Sequence, residues 1–444
     1  MNPIAGHLNQ IIKYENPQLF FSLSRLGKNL FFPRGIPSQG LEAKKKAHRI
    51  NATIGIAKEA GHTMRLDSVK DLIDPIRPSE ALTYASSYGV EGLREHWQAM
   101  LVEKNPSLKG RRISLPVVTN GITHGVSTTA DLWIDPGDLV LVPEMMWGNY
   151  RMIFEVKKQA QLTTYPVFNS ADRFDLEGLE RVVVNAAKPR AKIMVILNSP
   201  HNPSGYAFSE EEGDKIVRIL IAVANSGCHV VAVCDDAYFG LFYDAHSLKE
   251  SLFARLAGTH SNLTAIKLDG ATKENYVWGL RVGFITFGCQ TVSDTPALYD
   301  ALTQKVAGCI RGTISNDSHL SQSIVLKSMQ DERFVKETEA KYEILKERAG
   351  KVREVLQDPT FNDAWTPYPF NAGYFMCLKL KDVDAETLRL HLLDQYGVGV
   401  ISLGHTDIRV AFSCLDIDEI PAIFDLLLQG IMDLRKAGKI VSRS

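Results

Sequence analysis

The stretch "LTAIKLDGATKENYVWGLRVGF", residues 263–284, decides the fold. It begins with a short apolar run of strand character, "LTAIKLD", and breaks into the small-residue turn "GATK". A second apolar run, "RVGFITFG", starts at Arg281. An ordinary lysine belongs on a solvated face, whereas Lys273 sits where a strand ends and the chain turns. A polar residue at the exit of a buried strand is the pattern of a parallel α/β sheet, whose ligands lie at the carboxyl ends of the strands.

Working outward, the same alternation repeats. "LPVVT" (115–119), "DLVLVP" (138–143), "LTTYPV" (162–167), "KIMVILN" (192–198) and "HVVAVCD" (229–235) read as strands. Between them "GITHGVSTTADLWI", "GNYRMIFEVKKQ", "DLEGLERVVVNAA" and "SEEEGDKIVRILIAVANSG" read as helices. The last opens with a capping box, Ser209 and Glu212, and ends on Gly227. Short apolar strands separated by helices predict an α/β domain, its mostly parallel sheet sandwiched by helices. After about residue 317 the character changes. A long, charged, amphipathic helical region covers 321–358. Beyond it "AGYFMCLKL", "AETLRLHLLDQYG", "VGVISLG", "IRVAFSCL" and "IPAIFDLLLQGIMDLRK" predict a smaller α+β domain. The expected division is an N-terminal arm and part of the small domain over 1–65, a large cofactor-binding domain over 66–317, and an interdomain helix with the small domain over 318–444. The first 60 or so residues carry two Pro/Gly breaks and little regular pattern, and read as an arm on the small domain or on a partner.

Composition excludes several classes. The 444 residues are too many for one small core. A formal net charge of −1, with no block of like charge, leaves no electrostatic footprint for nucleic acid or an anionic membrane. No apolar run reaches the roughly 18 residues of a membrane span. The six cysteines (228, 234, 289, 309, 377, 414) form no C-x-x-C pair and mostly lie in apolar runs. They read as small buried hydrophobes in a reducing compartment, and the start of the chain lacks a signal pattern. A cytoplasmic enzyme without a metal centre is expected.

Chemistry concentrates at the strand ends. "KIMVILN" ends in "SPHNPSG", "HVVAVC" in "DDAYFG", "LTAIKLD" in "GATK", "LPVVT" in "NGITHG" and "DLVLVP" in "EMMWGNY". Each alone has an ordinary explanation: Asn-Pro makes turns, an Asp after a strand caps a helix, and a loop Trp is often core. Together they place a lysine, a carboxylate, a phenol, an amide, an indole and a helix N-terminus on one sheet edge. That set suits pyridoxal phosphate. Lys273 would form the Schiff base and later shuttle a proton. Asp235 would keep the pyridine nitrogen protonated, Asn202 and Tyr238 would bond the phenolic oxygen, and Trp147 would stack on the ring. Gly121, Ile122 and Thr123 would offer backbone N–H groups to the phosphate, and Arg281 a charge-assisted contact.

These residues resemble the fold-type I pyridoxal-phosphate aminotransferases (class I/II), most closely the aspartate/aromatic group. "PHNPSG", "DDAYFG", the Lys273–Arg281–Gly283 spacing and "WGNY" (147–150) are similar to that family's motifs, and the ordered set covers roughly 45–430. The resemblance implies an aspartate aminotransferase-like fold. It also implies that Tyr84, in "YASSYGVEGLREHW", reaches the phosphate of a neighbouring subunit, so that the enzyme is a homodimer. Gly55, in "INATIGIAKEAG", would line the substrate site, and Arg409, in "IRVAFS", would hold the α-carboxylate. "IRGTISN" (310–316) resembles the segment whose arginine, here Arg311, selects a dicarboxylic side chain in the neighbour's site. Three positions depart from the pattern. Gly270 stands where a serine usually touches the phosphate, Ile122 replaces a smaller or hydroxylic residue, and Tyr150 replaces a histidine behind the ring-nitrogen aspartate.

The function implied is ping-pong transamination between an L-amino acid, aspartate or glutamate first and aromatic donors second, and a 2-oxo acid such as 2-oxoglutarate. The alternatives are a pyridoxal-phosphate lyase or decarboxylase on the same fold, or a non-catalytic cofactor-binding regulatory module. The last usually needs a fused DNA-binding domain, and no convincing helix-turn-helix precedes residue 60.

Overall fold

The computed structural model describes residues 2–15, 17, 20, 23–31, 35–188, 190–290 and 297–440. Its centre is a seven-stranded sheet. In chain order the strands are β1 (Val117–Asn120), β2 (Leu139–Pro143), β3 (Gln161–Tyr165), β4 (Lys192–Asn198), β5 (His229–Asp235), β6 (Leu263–Gly270) and β7 (Val282–Cys289). Across the sheet the order is β1-β7-β6-β5-β4-β2-β3. Only β7 runs against the others, pairing antiparallel with both β6 and β1.

The apolar runs become strands because both faces are covered. Val231, Val233, Ile266 and Leu268 pack on one face with Val126, Tyr150 and Phe154. Ala232, Cys234 and Ala265 pack on the other with Leu179, Leu220 and Phe253. Lys192 and His229 are the only residues of β4 and β5 that are not fully buried.

Among the helices are α1 (Ile36–Lys46), α2 (Glu91–Lys104), α3 (Gly121–Trp133), α4 (Glu210–Asn225), α5 (Ala297–Thr313), α6 (Phe334–Val355) and α7 (Glu419–Lys436). The capping box at α4 forms as the sequence predicts. Ser209 Oγ accepts from Glu212 N at 3.2 Å, and Glu212 Oε2 accepts from Ser209 N at 2.8 Å. The segment "GNYRMIFEVKKQ" is helical, but residues 151–157 widen into a π-turn in which Lys158 N bonds the Ile153 carbonyl.

A second sheet, antiparallel throughout, has the order β8-β9-β11-β10, with β8 (Trp365–Pro367), β9 (Phe375–Leu380), β10 (Ile401–Leu403) and β11 (Asp407–Ala411). Helices α6 and α7 share one apolar core with it.

The helical region expected over 321–358 forms as two helices, His319–Met329 and α6, separated at residues 330–333, where Asp331 accepts from the backbone N–H groups of Arg333 and Phe334. The first 60 residues are more regular than their pattern suggests, with helices at Pro3–Glu15, Arg25–Asn29 and α1. Gln39 of α1 bonds the backbone of Ser402 through both its amide groups. Ile50–Asn51 then pairs in parallel with Val398–Gly399, and Ala411 N bonds the Ala52 carbonyl at 2.9 Å. Thr53–Ile56 then passes beside Arg409 and the residues just after β11: the Thr53 carbonyl accepts from Arg409 and the Ile56 carbonyl from Ser413 Oγ.

Candidate active site

Strand register brings the first residues together. Asn198 and Asp235 are direct partners at the ends of β4 and β5. The Asn198 amide spans two motifs: Nδ2 donates to the Asp235 carbonyl at 2.8 Å, and Oδ1 accepts from Asn202 N at 2.8 Å. The Asp235 carboxyl is buried. It accepts from the Tyr150 hydroxyl at 2.5 Å and from Ala237 N at 3.2 Å. The phenol that replaces the expected histidine therefore does donate to this aspartate. Burial raises the Asp235 pKa, while the Tyr150 bond and the Lys273 charge pull it down. Asp236, next in the chain, faces elsewhere: it pairs with the buried Lys267.

Lys273 follows β6 in a single helical turn, Ala271–Glu274. Its amine lies 4.8 Å above the Tyr238 ring. Burial lowers its pKa to about 8; Asp235 opposes the fall and Arg281 adds to it. Lys273, Asp235, Tyr238, Asn202, Trp147, Ile122, Thr123 and Arg281 all line one cavity. The Trp147 and Tyr150 rings meet edge to face, centroids 5.6 Å apart at 86°.

At the other end of this cavity α3 begins on Gly121, with φ +71°. A Cβ there would run into the Arg281 guanidinium. Gly283 packs as closely: its Cβ would come within 2.7 Å of the Gly121 backbone. At Gly270 a Cβ would come within 2.7 Å of the Val282 carbonyl oxygen, so the family's serine has no room. The hydroxyl of Thr272, buried, lining the cavity and without a partner, lies two residues on. The 13-residue helix presents its N-terminus beside a fixed guanidinium, a ready anion cradle. Gly121→Ala should strain the backbone by about 1–2 kcal/mol and displace Arg281. Titration of the apoprotein should show weaker retention of pyridoxal phosphate, and unchanged affinity would remove this cradle from cofactor binding.

Arg409 comes from β11 of the second sheet and is 2% exposed. Its Nη1 donates to Asn202 Oδ1 at 3.3 Å and its Nη2 to the Thr53 carbonyl at 2.9 Å, while the guanidinium covers the Phe375 ring at 4.1 Å. Nε is buried without a partner. The hydrogen-bond acceptors it does have are neutral. Gly55 lies close by, where a Cβ would sit 3.3 Å from Phe375 Cζ and 3.5 Å from the Tyr238 hydroxyl.

Two residues singled out in the sequence lie apart from this cavity. Tyr84 is 90% exposed. Arg311 is exposed at the end of α5, with Nη1 donating to Ser315 Oγ at 2.7 Å. Asn198, Ala237 and Thr272 line the cavity without having been singled out. The polar cluster at the strand ends contained the signal for Asn198, the last residue of "KIMVILN". Nothing local marks the other two. Among the described residues no group of three or more His, Cys, Asp or Glu side chains is placed to hold a metal ion, and no helix is long and apolar enough to cross a membrane.

The donor set fits pyridoxal phosphate. A helix N-terminus and an arginine suit a phosphate, a buried carboxylate suits a pyridinium, and a lysine with a lowered pKa suits an aldehyde. The orphaned Thr272 hydroxyl at the anion cradle and the orphaned Arg409 Nε mark places prepared for polar partners.

Known proteins agree. Residues 58–426 match the family model described as aminotransferase class I and II. The cytoplasmic aspartate aminotransferase of Saccharomyces cerevisiae is 25% identical over 227 residues, 50% of this chain and 52% of that protein, so the match spans about half the yeast enzyme. The arginine–pyruvate transaminase of Pseudomonas aeruginosa is 24% identical over 323 residues, 72% of this chain and 73% of that one. Among solved structures, an aminotransferase from Anaerococcus prevotii superposes with a TM-score of 0.81 at 21% identity, covering 92% of this chain and 98% of its own. The kynurenine aminotransferase of Pyrococcus horikoshii gives 0.77 at 16%, covering 94% and 98%. At these identities the structures speak for the fold, and the family model speaks for descent over most of the chain. The chain belongs to the class I and II aminotransferases, a pyridoxal-phosphate-dependent family.

Proposed function

We propose that this protein catalyses reversible, ping-pong amino transfer between an L-amino acid and a 2-oxo acid. The observation that carries the proposal is Arg409, a buried guanidinium with neutral acceptors and an unpartnered Nε. A cation kept in that state is prepared for an incoming carboxylate, which it grips through parallel charge-assisted bonds. Fixed there, a substrate α-carboxylate directs the α-C–H bond towards the Lys273 amine.

Pyridoxal phosphate, when bound, supplies an aldehyde that condenses with amines and a ring that accepts the electrons left when a bond to the α-carbon breaks. The protein's residues do the rest. Lys273 Nζ holds the cofactor between turnovers and moves the proton at the substrate α-carbon. Asp235, oriented by Tyr150, keeps a proton on the ring nitrogen. Asn202 and the Tyr238 hydroxyl would hydrogen-bond the phenolic oxygen, and Trp147 would stack on the ring. Gly121, Ile122, Thr123 and Arg281 hold the phosphate, joined by Tyr84 of a second copy in a homodimer. The exposure of Tyr84, with Leu82 at 84% and Ile73 at 64%, supports a covered face there. The proposed division is an N-terminal arm and part of the small domain over 1–65, a large cofactor-binding domain over 66–317, and an interdomain helix with the small domain over 318–444. Six free cysteines support a cytoplasmic location.

Aspartate or glutamate is the proposed donor, with 2-oxoglutarate as acceptor and Arg311 of the second copy gripping the side-chain carboxylate. Relatives named for aspartate support this choice, while the arginine and kynurenine enzymes show how widely donors vary among similar proteins. A panel of amino donors and oxo acceptors, read out by 2-oxo product, tests both levels. Release of carbon dioxide or ammonia in place of amino transfer would overturn the reaction type. Arg311→Ala should lower kcat/KM for aspartate or glutamate about 10²-fold or more, matching the roughly 2–5 kcal/mol of a broken buried charge pair. An aromatic donor should change much less, and equal losses for both would take Arg311 out of the substrate site.

A further inference from the structure

Behind the active-site edge lies a buried charge cluster that no step above uses. Lys267, on β6, is 1% exposed. Its amine pairs closely with Asp236, lies 3.4 Å from Asp269 Oδ2, and covers the Phe239 ring at 4.4 Å. Asp236 Oδ2 also accepts from Ser251 Oγ at 2.5 Å. Asp269 Oδ2 accepts from Trp97 Nε1 at 3.2 Å, and the Trp97 ring stacks on Phe284 of β7, centroids 4.1 Å apart.

We propose that Lys267 is a positioning residue for the reaction, locking together the two strand ends that carry Asp235 and Lys273. Asp236 immediately follows Asp235, and Asp269 stands four residues before Lys273. Lys267 is the one group joined to both carboxylates. Helix α2 grips the same turn twice, through Trp97 on Asp269 and through Lys104 on Glu274, the residue after Lys273. Energetics favour this reading over a role in stability. A buried ion pair brings little net stability, and apolar residues of similar volume often serve as well or better. The backbone ladder already spaces β5 against β6; what the charges add is direction, because a lysine between two carboxylates and an indole N–H holds Asp236, just past β5, in one place against Asp269 at the exit of β6. Catalytic geometry is sensitive at that scale, since a displacement of about 1 Å can cost 10²-fold in rate.

The inference rests on the transaminase reading. Its test is the double variant Lys267→Met/Asp236→Asn, which removes the pair without leaving two carboxylates face to face, beside Trp97→Phe, which deletes only the N–H to Asp269 and keeps the stacked ring. For each holoenzyme, thermal melting, pyridoxal-phosphate affinity, the pH titration of cofactor absorbance, and separate kcat and KM are measured. The expected result is a folded protein with cofactor affinity and KM within about 2-fold of wild type and a shifted absorbance titration. Its kcat falls about 10-fold or more in the double variant and less in Trp97→Phe. Unchanged kcat and titration overturn the proposal. So does a parallel loss of affinity, KM and melting temperature, which is the mark of a merely structural cluster. If the double variant does not fold, Trp97→Phe decides by the same criteria. A wild-type protein that binds no pyridoxal phosphate or transfers no amino group fails at the earlier reading instead.

Discussion

Lys273→Ala should lose transamination by more than the roughly 10²–10⁴-fold that a positioned acid–base group alone contributes, because on the proposed reading the same amine would both hold the cofactor and move the α-proton. Cofactor should still bind, weakly, through the phosphate contacts. Borohydride should fix cofactor to the wild-type chain and not to the variant. A variant that kept near-normal turnover would remove Lys273 from the chemistry. The pH dependence is a second handle on the same residue. An amine attacks an aldehyde only when neutral. Burial has drawn Lys273 down to about 8 from the ordinary 10.5. Capture of pyridoxal phosphate by the apoprotein should therefore speed up as pH rises and level off above about 8. A rate still climbing towards 10.5 would show an amine in contact with bulk water.

Asp235→Ala should be the next most damaging change. The buried carboxylate, held by Tyr150, would raise the proton affinity of the ring nitrogen by charge pairing. Its loss should lower kcat by about 10²-fold or more, in the range of a missing acid–base group, while KM moves little. Asp236→Ala makes the contrast. It breaks a buried pair with Lys267, a change that costs about 3–5 kcal/mol where one partner is removed. Thermal melting should fall because Lys267 is left unpaired, and kcat should fall about 10-fold through the lost positioning, less than for Asp235→Ala. Should Asp236→Ala abolish turnover while Asp235→Ala leaves it intact, the two aspartates have been assigned the wrong way round.

Some of this was legible in the sequence for plain reasons. The runs 192–198 and 229–235 become β4 and β5 residue for residue because both faces are covered, so that apolar side chains continue without a break. The same continuity marks where each strand stops, and Asp235 and Lys273 stand at or just past those stops. Helix α1 was illegible: "IPSQGLEAKKK" has too few apolar residues for a face. It is held by Gln39 on Ser402, a polar contact spanning 363 residues that no periodicity records. Thr272 is hidden differently, since a hydroxyl beside a lysine looks ordinary until its burial without a partner is seen. Lys267 reads as one charge inside "LTAIKLD"; its partner Asp236 is 31 residues away and its meaning exists only in three dimensions.

The two sheets divide the site's work, and that division matters to anyone recruiting the scaffold for a new amine. Asp235 and Lys273 stand at the large sheet's edge, whereas Arg409 and Phe375 belong to the small sheet, with the irregular segment Thr53–Ile56 beside them. A library that randomises Ile54, Ile56 and the surroundings of Phe375 explores donor shape while leaving the bond-breaking apparatus untouched. Randomising "DDAYFG" or "GATK" spends most clones on inactive proteins.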